Sequence, residues 1–303
     1  MSTPPRRIIV GSDFSMASQH AVDRAVGLAR QWSSALVLHH VVAASFWDDA
    51  VTRAAGVAGL DSASPEAAVA VASDMLGRRA DEIEAASGVP CEVGASAGRA
   101  ATALASAAAA VGAGVLVIGA HGEHSVRQVF LGTTAQKLLR VSPCPVLVVK
   151  RAPSFDYRTV LVPTDFSVPS RAALGVCQAW LPQAMLHVAH AFELPYDGLA
   201  RHAGVDAATL EGYRRDAQAR LSQMLVDFVD ETGVPPGRRV LHVSHGYAST
   251  CIERWIDAIA ADLVVIAAHG KSELEAAFLG SVSLHTVLAA PCDVLLIRGT
   301  GGT

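Results

Sequence analysis

The apolar positions of the first 150 residues fall into short unbroken runs separated by stretches of helical period. Residues 8–10, 115–118 and 146–149 are runs of Val, Ile and Leu of strand length, and 36–42 is a near-continuous one interrupted by His39-His40. A strand that is apolar at every position, rather than at alternate ones, is covered on both faces, as in a parallel sheet. Between these runs the apolar residues recur at three- and four-residue spacing. Residues 18–30 place Ala21, Val22, Ala25, Leu28 and Ala29 on one side, and helices are also expected over 65–86, 100–111 and 133–141. Residues 91–95 read as a further short strand. Strand–helix alternation with short turns predicts a doubly wound α/β fold with a five-stranded parallel sheet and helices on both faces.

The pattern then repeats. Ile8-Ile-Val-Gly-Ser-Asp-Phe-Ser15 is echoed by Val160-Leu-Val-Pro-Thr-Asp-Phe-Ser167, with Asp165 following Asp13 by 152 positions. Val117-Ile-Gly-Ala-His-Gly122, Phe130-Leu-Gly-Thr133 and Pro143-Cys-Pro-Val-Leu-Val-Val149 each recur 148 positions later. A constant offset means two copies of one domain in tandem, here placed at 1–151 and 158–299 with a short polar junction that contains Pro153. The repeat also answers whether the uncharged stretch 100–120 is a membrane span. Its partner, 248–268, carries Glu253, Arg254, Asp257 and Asp262, so it reads as a surface helix followed by a strand and 100–120 as its Ala-rich counterpart, with no membrane contact.

Composition narrows the function classes. Hydrophobic residues are 51% and charged residues 17% of 303 positions, with a net charge of −4. This excludes disorder and gives no clustered basic face for nucleic acid. Lys137, Lys150 and Lys271 are the only lysines, so a phosphate site must rely on backbone N–H groups, Arg or His. The five cysteines are widely spaced and include no C-x-x-C, which argues against a disulfide framework or a structural zinc module. Cys144 and Cys292 read as packing residues. The N-terminal residues show no long apolar segment before a cleavage site, so the cytoplasm is the expected location.

The candidate chemistry lies where the strands end. Strand 115–118 runs into Gly119, followed by His121 and Gly122, and nine residues later by Gly132-Thr133-Thr134 at a helix start. A glycine at a strand end lets a ligand approach the backbone. A Gly-Thr pair opening a helix offers free N–H groups, a hydroxyl and the positive end of the dipole. Asp13 ends the first strand, and ligands of doubly wound sheets bind beyond the carboxyl ends where strand order reverses. Together these pieces suit a polyphosphate. Gly270-Lys271-Ser272 is not a P-loop, because the required earlier glycine is Val265.

The spacing Gly119-x2-Gly122-x9-Gly132-Thr133 resembles the nucleotide motif of the universal stress protein family. The Asp-Phe-Ser turns, His40-Val41 and the 143–149 strand are similar to that family as well, and the resemblance covers the chain twice. It implies an adenine nucleotide alpha hydrolase-like fold. It also implies ATP, or ADP, bound with Mg²⁺ carried mainly by the phosphates. On this resemblance Asp13 faces ribose or adenine and Val41 meets adenine through its backbone. Gly119 and Gly122 let the ribose and phosphates close in, Gly132, Thr133 and Thr134 hold phosphate oxygens, and His121 reaches phosphate.

The second copy keeps Asp165, Gly270, Gly280 and Ser281 but has Ala267 in place of the first glycine. The N-terminal site is therefore the expected one. No acid–base pair or nucleophile–His–carboxylate set stands out, so the function expected is a nucleotide-dependent regulatory or interaction module in the stress response, with an unknown protein partner. The alternatives are a nucleotide-independent scaffold and a slow ATPase. Single-copy relatives pair through their last strand, so 146–149 and 294–297 are expected to make an internal pseudo-dimer, with a further homodimer open.

Overall fold

The computed structural model describes residues 3–43, 65–120, 131–153, 156–194, 206–269 and 279–298. The chain divides into two compact units, Pro4–Asp156 and Tyr157–Thr303, the latter including Met1–Thr3.

The first unit runs β1 (Arg7–Gly11), α1 (Met16–Trp32), β2 (Ala35–Ala43), α2 (Pro65–Ser87), β3 (Cys91–Gly98), α3 (Ala100–Ala110), β4 (Val115–Gly119), α4 (Thr133–Val141) and β5 (Val146–Val149). All neighbours pair in parallel, in the order β3-β2-β1-β4-β5. The core is the set of apolar runs seen in the sequence: Ile8, Ile9, Val10, Leu36, Leu38, Leu116, Val117, Val146 and Val148 are fully buried. Covering both faces of a sheet requires two helical layers, and α1 packs with α2 and α3 with α4. The buried side of α1 is Ser18, Ala21, Val22, Ala25, Leu28 and Ala29, capped by the Ser15 side chain, which accepts from Ser18 N–H.

The second unit repeats the plan with β6 (Thr159–Pro163), α5 (Val168–Trp180), β7 (Met185–Phe192), α6 (Ala207–Asp230), β8 (Arg239–His245), α7 (Ala248–Ile259), β9 (Leu263–Ala267), α8 (Ser281–Ala289) and β10 (Asp293–Ile297). Its strand order is β8-β7-β6-β9-β10, again all parallel. The stretch 248–268 is α7 followed by β9, as its charges predicted. Among the described residues no helix is long and apolar enough to cross a membrane.

One element differs from the sequence reading. β3 extends to Gly98, past the expected end at Ala95, because its pairing with β2 continues through Val42↔Ala97 and Ala43↔Gly98. Gly94, Ala95 and Ala97 lack the apolar bulk that marks a strand in sequence; the ladder to β2 defines this one.

In each unit the order reverses at the first strand. β1 lies between β2 and β4, and β6 between β7 and β9. The carboxyl ends of β1 and β4, and of β6 and β9, therefore flank the point of reversal, with Asp13 just beyond β1, Gly119 ending β4, Asp165 just beyond β6 and Ala267 ending β9.

Candidate functional site

β1 ends in a turn that is built the same way twice. Ser12 N–H donates to the carbonyl of His39 at 2.9 Å, and Thr164 N–H to that of Ala189 at 2.8 Å. Phe14 and Phe166 follow with φ of 61° and 64°. That left-handed conformation costs a residue with a Cβ about 1–2 kcal/mol and is ordinarily left to glycine or asparagine. Phe14 N–H donates to Ser12 Oγ at 3.3 Å, and Phe166 N–H to Thr164 Oγ1 at 3.1 Å. The Asp13 carboxylate accepts from Ser15 N–H at 3.1 Å and from Ser15 Oγ at 2.5 Å. Asp165 accepts from Ser167 N–H at 3.1 Å. Each aspartate thus closes an Asx-type turn leading into the serine that caps the next helix. Both are partly exposed, just beyond the carboxyl ends of central strands.

The second wall of the crevice is the start of α4 and of α8. Gly132 N–H donates to Ala120 O at 2.9 Å, and Gly280 N–H to Ala268 O at the same distance. These bonds tie the helix starts to the ends of β4 and β9. Gly132 (φ −59°, ψ 149°) and Gly280 (φ −58°, ψ 146°) are the N-caps, and neither helix has a side-chain cap. Among the described residues no side chain caps the first-turn N–H groups of either helix, which suits them to an external acceptor. Thr133, Thr134 and Ser281 are exposed on that turn. Val41, paired with Ser96 on β3, is half-buried two strands away from β4. His121, Gly122 and Gly270 lie outside the described residues.

Gly119 has a steric reason for being glycine that involves no ligand. A Cβ there would stand 2.7 Å from the carbonyl carbon and oxygen of Ala17 and 3.0 Å from Ser18 N. The close approach is that of the α1 backbone to β4. The equivalent methyl of the second unit, on Ala267, is buried on the last residue of β9, which shares its face with Leu263 and Val265. By the equivalence of the units, that is the face covered by α5. The methyl therefore gives no geometric reason to rank one site above the other.

Further histidines lie on strands that pack against α3 or α7. His39 Nε2 and Ser96 Oγ are 3.0 Å apart, and a Cβ on Gly94 would lie 2.8 Å from His39 Nδ1. The second unit reverses the pair. Ala189 stands opposite His242, where His39 stands opposite Gly94. His242 Nε2 in turn shares a hydrogen with His187 Nδ1 at 2.9 Å, the two rings stacked at 5.2 Å. Burial holds all three rings below the ordinary 6.5, and the charge of the neighbouring histidine adds to this for His39 and His242. Among the described residues no group of three or more His, Cys, Asp or Glu could hold a metal ion. Cys144 and Cys292 are buried, as packing residues are.

Residues 5–150 and 156–298 each match the family model described as the universal stress protein family. The chain belongs to this family. It is a tandem universal stress protein with two α/β domains. It is 27% identical over 196 residues to a universal stress protein of Mycobacterium tuberculosis, covering 61% of each chain, and so spans 61% of the length of the mycobacterial relatives it matches. A universal stress protein of Thermus aquaticus is 40% identical over 144 residues, 47% of this chain and 99% of its own. Among solved structures, a universal stress protein from Archaeoglobus fulgidus superposes with a TM-score of 0.67 at 18% identity, covering 97% of this chain and 99% of that one. One from Pseudomonas aeruginosa gives 0.61 at 20% identity, with 97% and 93% covered. These two likenesses show the fold.

Proposed function

We propose that the chain binds an adenine nucleotide, ATP or ADP, in the crevice of the first unit, and that the second unit offers an equivalent crevice. The observation that carries this reading is the pair of helix starts at Gly132 and Gly280. Each is tied back to a strand end, lacks a side-chain cap and exposes hydroxyl residues on its first turn. Such a start favours phosphate oxygens through N–H groups and the helix dipole. Asp13 and Asp165 each stand at the crevice of their own unit for the ribose or base, with Val41 on β2, the strand next to β1, in the first. Mg²⁺ accompanies the nucleotide and is held mainly by its phosphates. Occupancy of the crevice would then regulate a protein partner, as a stress-response module in the cytoplasm. The geometry supports holding a nucleotide more directly than turning it over.

A carboxylate placed on the first turn separates ligand from fold. Thr134→Glu, and Ser281→Asp in the second unit, add negative charge at exposed positions where the dipole stabilises it by about 0.3–1 kcal/mol. The same charge repels phosphate. Each variant is expected to keep or slightly raise the thermal midpoint while weakening Mg-ATP binding to its own unit at least about tenfold. Calorimetric titration of single and double variants reads both sites. Unchanged affinity in the double variant would contradict the proposal.

A further inference from the structure

The two strained turns are each clamped by one histidine from the adjacent strand. His40 Nδ1 lies 2.8 Å from the Ser12 carbonyl, and His190 Nδ1 lies 2.8 Å from the Thr164 carbonyl. A carbonyl only accepts, so in both rings the hydrogen is on Nδ1. The same rings carry the phenylalanines: Phe14 sits on His40 at 4.8 Å and Phe166 on His190 at 4.3 Å. In the second unit Phe228 of α6 adds an edge contact to Phe166 at 5.5 Å.

The residue before each aspartate is therefore fixed at three points. Its N–H donates to β2 or β7, its carbonyl accepts from the histidine, and its hydroxyl accepts from the phenylalanine N–H. The following residue, Asp13 or Asp165, has little freedom left. The arrangement recurs although the flanks differ, Gly11-Ser12 against Pro163-Thr164 and Met16-Ala17 against Val168-Pro169. A bulky residue in a left-handed conformation persists only where its surroundings over-determine it. Here the histidine supplies both the hydrogen bond and the ring surface that do so.

We propose that His40 and His190 are positioning residues that hold the Asp13 and Asp165 turns in their binding geometry. They act through the turn and not by touching the ligand. This rests on the nucleotide reading for its ligand, but the turn itself can be tested without one.

The experiment uses the full chain with His40→Leu, His190→Leu, both together, and the matching asparagine variants. Asparagine can offer an amide N–H close to the position of Nδ1; leucine cannot. Amide hydrogen exchange at Phe14, Ser15, Phe166 and Ser167 and affinity for Mg-ATP are measured on each. The leucine variants are expected to speed exchange at the two amides of their own turn by about tenfold or more, and to weaken Mg-ATP by about tenfold. Asparagine is expected to recover most of both losses. Equal exchange and affinity in wild type and leucine variants would overturn the inference, as would loss with leucine that asparagine does not recover. The single variants keep the other turn as an internal reference and serve if the double variant does not fold. If the wild type binds no Mg-ATP, the nucleotide reading fails on its own, and the exchange rates still decide whether the histidines hold the turns.

Discussion

Gly119→Ala is expected to destabilise the first unit by about 3 kcal/mol, the upper end of over-packing. The added methyl would meet the Ala17 carbonyl at 2.7 Å and Ser18 N at 3.0 Å. These are backbone atoms at the start of α1, not the end of a side chain that can swing away. To relieve the contact, α1 or β4 must shift, and with it the Ser15 cap and the Asp13 turn. The reverse change, Ala267→Gly, removes a buried methyl that the second unit already accommodates and is expected to cost only about 1 kcal/mol. Denaturant midpoints of both variants check this. Equal costs would show that β4 and α1 are not in close contact. Loss of nucleotide in Gly119→Ala could then reflect the fold alone, whereas Thr134→Glu leaves the fold in place.

The second unit is expected to lose stability as the pH falls below about 6.5, while remaining nearly constant above it. His187 and His242 are both depressed below that value, by burial and, for His242, by its neighbour's charge. In the unfolded chain each takes up a proton as pH drops through about 6.5. In the folded unit they resist, because two charged rings cannot share one hydrogen and would repel across 2.9 Å. The unfolded state therefore binds more protons in the window from about 6.5 down to the depressed folded values, and stability falls through that window. His39 gives the first unit an effect of the same sign. His187→Val tests the cause, since Val37 occupies the equivalent place on β2, opposite Ile9 as His187 is opposite Leu161. Urea midpoints between about pH 8 and pH 5 should show a flatter acid limb in this variant. An unchanged limb would remove the pair as its source.

The parts of the fold legible in sequence were those set by burial. Runs such as 146–149 and helices such as 133–141 follow from which side chains must leave water, and the repeat fixed their number. β3 was legible only in part, because Gly94, Ala95 and Ala97 give an edge strand no apolar signature. At the candidate site, the Gly132-Thr133 and Gly280-Ser281 helix starts were readable because helix ends have a local chemistry. Gly119 was not, since its neighbour is the backbone of α1, a hundred positions earlier in the chain. The histidine clamps were missed for the same reason: His40 and Ser12 meet only once β1 and β2 are paired. A signal for them was present in the sequence, as Asp-Phe-Ser puts phenylalanine twice at a position suited to glycine.

Nucleotide is proposed to sit between the Asp turn and the uncapped helix start. Backbone amide mapping by NMR during a Mg-ATP titration of the full chain tests it most directly. Saturable shifts are expected at Gly132, Thr133 and Thr134, with Asp13 and Val41, and matching shifts at Gly280, Ser281 and Asp165 where the second unit is also filled. No shifts at millimolar Mg-ATP, or shifts confined to residues away from both crevices, would contradict this placement.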